Sequence, residues 1–269
     1  MKSLKIFFLL FAAFAGYTPL SAQQPDSSLN TNKQATKFRP KLLYNIAYNK
    51  YTVSSGASYI VPGAAMLYGV GSMTAHQLKK WNDDTKYELY TEHPHSSFRA
   101  DNYLQFAPAV CVYGLNVVGI KGKHNIRDRT MIYLMSNLIL NTTVYSLKHV
   151  THEWRPDNSD HYSFPSGHTA EAFAGAEFLW QEYKDVSPWY GIAGYAAAAS
   201  TGFLRMYNNK HWLGDIVAGA GAGMASTKLA YWLYPYVQRK LFKARELNTI
   251  VIPTYNNHTA GLALAYHFR

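Results

Sequence analysis

Three pieces of the chain decide how it is read: KHVTHEWRP at 148–156, PSGH at 165–168 and RMYNNKHWLGD at 205–215. Each is built from residue types that bind or attack a phosphate. Lys148 and Arg155 are seven apart, a spacing that two helical turns bring to one face, and Pro156 stops a helix there. Together they offer a point charge and a planar fork to phosphate oxygens, although a solvated helix face has the same spacing. Pro165-Ser166-Gly167-His168 reads as a turn opening a helix. Ser166 suits the N-cap, Gly167 lets the backbone approach a ligand, and the first free amides face an anion. His168 then stands beside that anion, placed to protonate a leaving oxygen. An ordinary helix cap fits the same four residues. In the third piece Arg205 precedes His211 by six, and His211 precedes Asp215 by four. A helix starting near His211 puts the carboxylate one turn away, where it accepts one imidazole proton and leaves the other nitrogen free to attack phosphorus. A capping pair has the same form.

Working outward, uncharged runs alternate with polar ones. Tyr51 to Leu78 carries no Asp, Glu, Lys or Arg and predicts a buried helix interrupted by Pro62 and glycines. Residues 79–101 read as a loop with short helical pieces, Pro94 breaking any regular element. Asn102 to Ile120 is uncharged again. The basic stretch 121–129 reads as a solvated turn or, alternatively, as a contact with an anionic membrane surface. Thr130 to Leu147, apolar nearly all round, predicts the central helix. Helices are expected over His168–Tyr183, Trp189–Leu204 and His211 to about Arg239, the last with Pro235 kinking or ending it and with alternating Ala and Gly at 218–223 allowing close helix approach. Beyond it, alternation at Ile250, Ile252, Leu262, Leu264, Tyr266 and Phe268 around Asn256-Asn257-His258 predicts two strands and a turn.

The fold class expected is all-α, a bundle of about six core helices with a short C-terminal β-hairpin. The expected segments are 1–22 as an export signal, 23–50 as a polar lead, 51–245 as the catalytic helical domain and 246–269 as the hairpin. Lys2 and Lys5 precede a short apolar core from Ile6 to Gly16, and small Ser21 and Ala22 precede a cut before Gln23. The protein is therefore expected outside the cytoplasm, in the periplasm or associated with the envelope membrane. Three apolar runs approach spanning length. A cleaved signal and the charge bias of 121–129 conflict if all three span, which favours a periplasmic or partly embedded bundle.

Composition narrows the partners. The chain has 269 residues, a net charge of +10 and 22 tyrosines. Such a basic balance favours nucleic acid, anionic lipid headgroups or phosphate esters without choosing among them, and scattered Arg and Lys without arginine-rich runs argue against nucleic acid. The single cysteine, Cys111, sits in an apolar run, which excludes an intrachain disulfide and predicts a buried, inert thiol. His149, His152 and Glu153 have near-ligand spacing but are not expected to hold a metal, while His161 and Tyr162 are placed to shape substrate entry. Oligomeric state is not legible.

Taken jointly, Lys-x6-Arg-Pro, Pro-Ser-Gly-His and Arg-x5-His-x3-Asp in this order resemble the signature of the type 2 phosphatidic acid phosphatase (PAP2) and vanadium haloperoxidase superfamily. The chain departs from it at Leu204, where the family usually has Ser. The resemblance implies His211 as nucleophile forming a phosphohistidine, Asp215 as its orienting partner and His168 as general acid. Lys148, Arg155, Ser166, Gly167 and Arg205 would hold the phosphate. It implies an envelope phosphatase that needs no cofactor and acts on a phosphorylated lipid such as phosphatidate, a polyprenyl diphosphate or lipid A. Vanadate would act as an inhibitor. The alternatives are a periplasmic acid phosphatase on soluble esters, a haloperoxidase using vanadate as cofactor, and a non-catalytic anion-binding module.

Overall fold

The computed structural model describes residues 56–241, 249–256 and 259–266, so the expected export signal, the polar lead and the turn at 257–258 lie outside the described residues. A 3-10 turn, Gly56–Tyr59, opens into α1 (Ile60–Thr74) and α2 (His76–Lys86), and α2 runs on into a π-turn, Tyr87–Thr91. Then come α3 (Asp101–Leu104), α4 (Ala107–Val117), α5 (Ile126–Thr151), α6 (Gly167–Tyr183), α7 (Pro188–Tyr207) and α8 (Leu213–Leu241). Strand β1 (Thr249–Asn256) pairs antiparallel with β2 (Thr259–Tyr266), Thr249 opposite Tyr266 and Asn256 opposite Thr259. By compactness the chain divides after Trp232, within α8.

The central helix is α6 rather than α5. Of the 17 residues of α6, all but Gly167, His168, Glu171 and Trp180 are buried. Helix α5 buries one stripe, Asp128, Ile132, Ser136, Leu140 and Val144, together with Arg129. Its opposite side is also apolar yet exposed, with Leu134, Leu138 and Tyr145 outward. An all-round apolar run therefore marked a helix but not its depth. Helix α8 lies against α6 almost backbone to backbone. A Cβ at Gly219 would fall 2.6 Å from the Ser166 carbonyl, and one at Gly223 would run into the Ala170 carbonyl. Ala170, Ala174 and Ala222 share a cluster with Leu140 and Val144 of α5, which closes that side of the core.

Several expectations change. Residues 79–101 are helical as far as Thr91, since α2 is a continuous helix with Asn82 and Thr85 buried. Pro235 sits inside α8 without ending it. Within the basic stretch 121–129, Arg129 and His124 are buried rather than solvated. Glu182 of α6 explains this: its carboxylate accepts from His124 Nδ1 at 2.6 Å, from the His124 amide at 3.0 Å and from Arg129 Nε at 3.2 Å. Tyr231 donates to the same carboxylate at 2.7 Å. Cys111 is half-buried, and burial pushes its thiol pKa up, which keeps it protonated. Among the described residues no helix is long and apolar enough to cross a membrane.

Candidate active site

The end of α5, the start of α6, the end of α7 and the start of α8 meet at one point. Lys148 is in the last turn of α5, and α5 stops at Thr151 with His152 left-handed at φ 46°. Arg155 is therefore not on a helical face with Lys148. It sits in the following loop, its amide donating to the Asp160 carbonyl at 3.0 Å. The two cations still converge, because the loop turns back. The Ser163 amide donates to the Glu153 carbonyl at 2.9 Å, and Lys148 Nζ donates to the Tyr162 carbonyl at 2.5 Å. Asp160 clamps Arg155, both carboxylate oxygens lying 2.8 Å from Nε. The same loop is tied to α8 by the Ser166 amide donating to the Asp215 carbonyl at 3.1 Å.

Ser166 occupies the N-cap position of α6 but makes no cap bond; its hydroxyl pairs with Thr169 Oγ1 at 3.0 Å. The first amides of α6 are consequently left for another acceptor. At Gly167 a Cβ would meet only Val144, at 3.9 Å, so its role is not set by crowding from the protein.

His211 and Asp215 are buried together, 3 % and 2 % exposed. The helix starts two residues later than His211, yet His211 Nδ1 is 3.3 Å from Asp215 Oδ2. The same oxygen accepts from the Trp212 amide at 2.9 Å and from Ser163 Oγ at 2.5 Å. On the other side of the ring, Arg155 Nη1 lies 3.3 Å from His211 Nε2. A guanidinium has only donors, so Nε2 carries the lone pair and Nδ1 the proton. The ring is thus oriented as a nucleophile, with Nε2 facing a cation.

Electrostatics agree. Burial, and then the charges of Arg205, Lys148 and Arg155, hold the His211 pKa well below its ordinary value, so the ring is neutral. Burial raises Asp215 to about 7 against the hydrogen bonds from Ser163 and Trp212. Burial and the Arg155 cation bring Lys148 down to about 8. His168 is lowered to about 4 by burial and Arg205, with Asp101 opposing. Arg205 donates through Nη1 to Asp101 at 2.7 Å, while its Nε is buried with no hydrogen-bond partner among the described residues, a donor open to a ligand.

The structure thus brings Lys148, Arg155, Ser166, Gly167, His168, Arg205, His211 and Asp215 to one site. Sequence reading missed Ser163, Asp101, Asn102 and Asp160. Of these only Ser163 and Asp160 lie close to the quoted pieces, between the first and the second, and neither has a spacing that announces its partner. Rings of Tyr145, His149, Tyr162, His161, His152 and Trp154 form a continuous strip beside Lys148, centroids 4.0–6.0 Å apart. Among the described residues no group of three or more His, Cys, Asp or Glu is arranged to hold a metal ion.

The sequence profile of the PAP2 superfamily matches residues 129–239. The lipid A 1-phosphatase of Porphyromonas gingivalis is 35% identical over 147 residues, 52% of this chain and 32% of that protein. The chain therefore spans about a third of the length of this curated relative. Among solved structures, LpxE of Aquifex aeolicus aligns with a TM-score of 0.38 and 19% identity over 61% of this chain and 92% of its own. A transmembrane PAP2-type phosphatidylglycerolphosphate phosphatase of Bacillus subtilis aligns with 0.41 and 17%, over 69% and 99%.

Proposed function

Because this chain belongs, through residues 129–239, to the PAP2 superfamily, we propose that it is a phosphatase of the cell envelope that releases phosphate from a phosphorylated lipid through a phosphohistidine. The observation that carries this reading is the His211 ring: Nδ1–H on Asp215, the Nε2 lone pair facing Arg155, and Lys148 and Arg205 close enough to depress its basicity. A buried neutral imidazole surrounded by cations is arranged for an anionic electrophile.

In the first step the Nε2 lone pair forms a bond to phosphorus and the bond from phosphorus to the ester oxygen breaks. The leaving oxygen takes its proton from His168. Asp215 stabilises the imidazolium that results. Lys148, Arg155, Arg205 and the first amides of α6 hold the three equatorial oxygens. In the second step water attacks phosphorus, His168 takes the water proton, and the N–P bond breaks to return its electron pair to Nε2. Bound phosphate supplies the negative charge that His168 lacks in the free protein, so its pKa rises on binding and the proton is available. The three cations supply charge stabilisation, so the reaction needs no metal.

A lipid substrate is supported by the named activity of the 35%-identical relative. It is supported also by outward apolar side chains such as Leu67 on α1, Val117 on α4 and Leu138 on α5, 70–87 % exposed, which suit a membrane surface. Export to the periplasmic side follows from the reading of residues 1–22. The test is phosphate release by the purified protein in EDTA from phosphatidate, a polyprenyl diphosphate, lipid A and a small aryl phosphate, beside His211→Ala. Release from a lipid that vanishes in His211→Ala is expected. Release from the aryl ester alone would move the reading to a soluble-ester phosphatase, and release unaffected by His211→Ala would end it.

A further inference from the structure

Two catalytic side chains are held by consecutive residues of α3, far ahead of the family-matched segment. Asp101 is 1 % exposed and accepts from Arg205 Nη1 at 2.7 Å and from Asn208 Nδ2 at 3.4 Å. Asn102 Oδ1 is 3.0 Å from His168 Nε2. Consecutive helical residues point about 100° apart, so neighbours can serve two groups at once. The approach to α3 is fixed by the end of α7. Asn208 donates to the Phe98 carbonyl and accepts from the Phe98 amide, both at 2.8 Å. His95 stacks on Tyr207 with centroids 3.6 Å apart, and its Nε2 lies 2.9 Å from the Tyr207 carbonyl.

We propose that Asn102 is a positioning residue for the general acid His168, carried on an arm, residues 95–102, that the end of α7 locks in place. This rests on the phosphatase reading for its consequence but not for its contact. An amide oxygen only accepts, so the Nε2 proton stays on Nε2 whether the ring is neutral or charged. The proton that moves is then the one on Nδ1. The acceptor also favours the charged ring. That matters because Lys148, Arg155 and Arg205 all oppose the imidazolium, while Asp101 supports it. The arm therefore serves both halves of the reaction, with Asp101 on a phosphate-binding guanidinium and Asn102 on the acid.

The test uses the full chain and compares Asn102→Ala and Asn102→Asp with wild type on an aryl phosphate and an alkyl phosphate. An aryl oxide leaves with little help, whereas an alkoxide needs the proton. Asn102 is exposed, so water competes for its place, and Asn102→Ala should lower the ratio of alkyl to aryl rate by about three- to tenfold. Asn102→Asp keeps the acceptor and should restore the ratio. An equal fall on both substrates, or an unchanged ratio, would overturn the proposal. Nitrogen NMR of the His168 ring in the free protein reads the contact without turnover. Asn102→Ala should lower the His168 midpoint and release the Nε2–H tautomer, and an unaltered titration would refute the positioning role. Inactive wild type with a shifted ring would instead remove the phosphatase reading and leave the contact standing.

Discussion

Replacing Ser163 by Ala should move the acidic limb of the rate profile upward. Ser163 Oγ donates to Asp215 Oδ2 at 2.5 Å in a site where both residues are buried. Its hydroxyl favours the ionised carboxylate and holds the pKa of Asp215 down to about 7 against burial. The proposed reaction needs that carboxylate ionised, to accept Nδ1–H and to offset the charge on a phosphorylated ring. Removing the hydroxyl leaves the Trp212 amide at 2.9 Å and the longer contact of His211 Nδ1 at 3.3 Å to stabilise the anion. A hydrogen bond to a charged group is worth ~1.5–3 kcal/mol, which at 1.36 kcal/mol per pKa unit is about one to two units. From a midpoint of about 7, the ionised fraction at neutral pH would drop from about a half to ~1–10%, a rate loss of ~5–50-fold. Raising the pH recovers the loss only in part, because Lys148, with its pKa at about 8, loses its charge over the same range. The profile of Ser163→Ala should therefore be shifted up on its acidic side and narrowed. The assay is kcat for one ester at saturating concentration from pH 5 to 9, wild type against variant, because kcat reports the complex in which bound phosphate has raised the His168 pKa. A uniform fall at every pH, with the acidic limb unmoved, would refute the argument and leave Ser163 a packing residue.

Two further outcomes follow from the same geometry. Glu182→Ala leaves Arg129 buried without its carboxylate, which should destabilise the fold by ~3–5 kcal/mol, read from the urea midpoint, while a change under 1 kcal/mol would show the network to be solvated. Burial raises the Glu182 pKa, but the bonds from His124 and Tyr231 outweigh it and the net value is lowered. The stabilisation is thus complete above the ordinary carboxylate range and is lost as pH falls through the lowered value. Orthovanadate, which takes five-coordinate geometry at a nucleophilic imidazole, should inhibit competitively with ester. It should lose at least tenfold in affinity in Arg205→Ala, whose Nε is a buried donor without a partner, and noncompetitive inhibition would place it elsewhere.

What the sequence revealed and what it concealed have one physical explanation. Lys148, His168, Arg205, His211 and Asp215 were legible because each sits at the end of a helix, and short spacings there are set by local geometry. The four-residue step from His211 to Asp215 gives the same contact whether the helix starts at His211 or at Leu213. Spacing misled where the helix stopped early. Lys148 and Arg155 share a site although His152 ends α5 between them, and they do so through the loop bonds of Tyr162, Ser163 and Asp160 rather than through a common face.

Depth was the harder quantity. Ala170, Ala174, Gly219 and Gly223 look unremarkable by hydrophobicity, yet their small size lets α6 and α8 touch, and this makes α6 central while α5, with its uncharged run 130–147, keeps one side outward. Once α6 is central, a carboxylate at Glu182 needs compensation, and the chain supplies it from the basic stretch that charge alone would have left in solvent. The pairs Asp101–Arg205 and Asn102–His168 follow from the same cause. They join residues separated by 104 and 66 positions, so no periodicity encodes them, and they exist because the packed end of α7 holds residues 95–102 over the site. The residues proposed to do the chemistry are thus written in local spacing, and those that would tune it are written only in the packing.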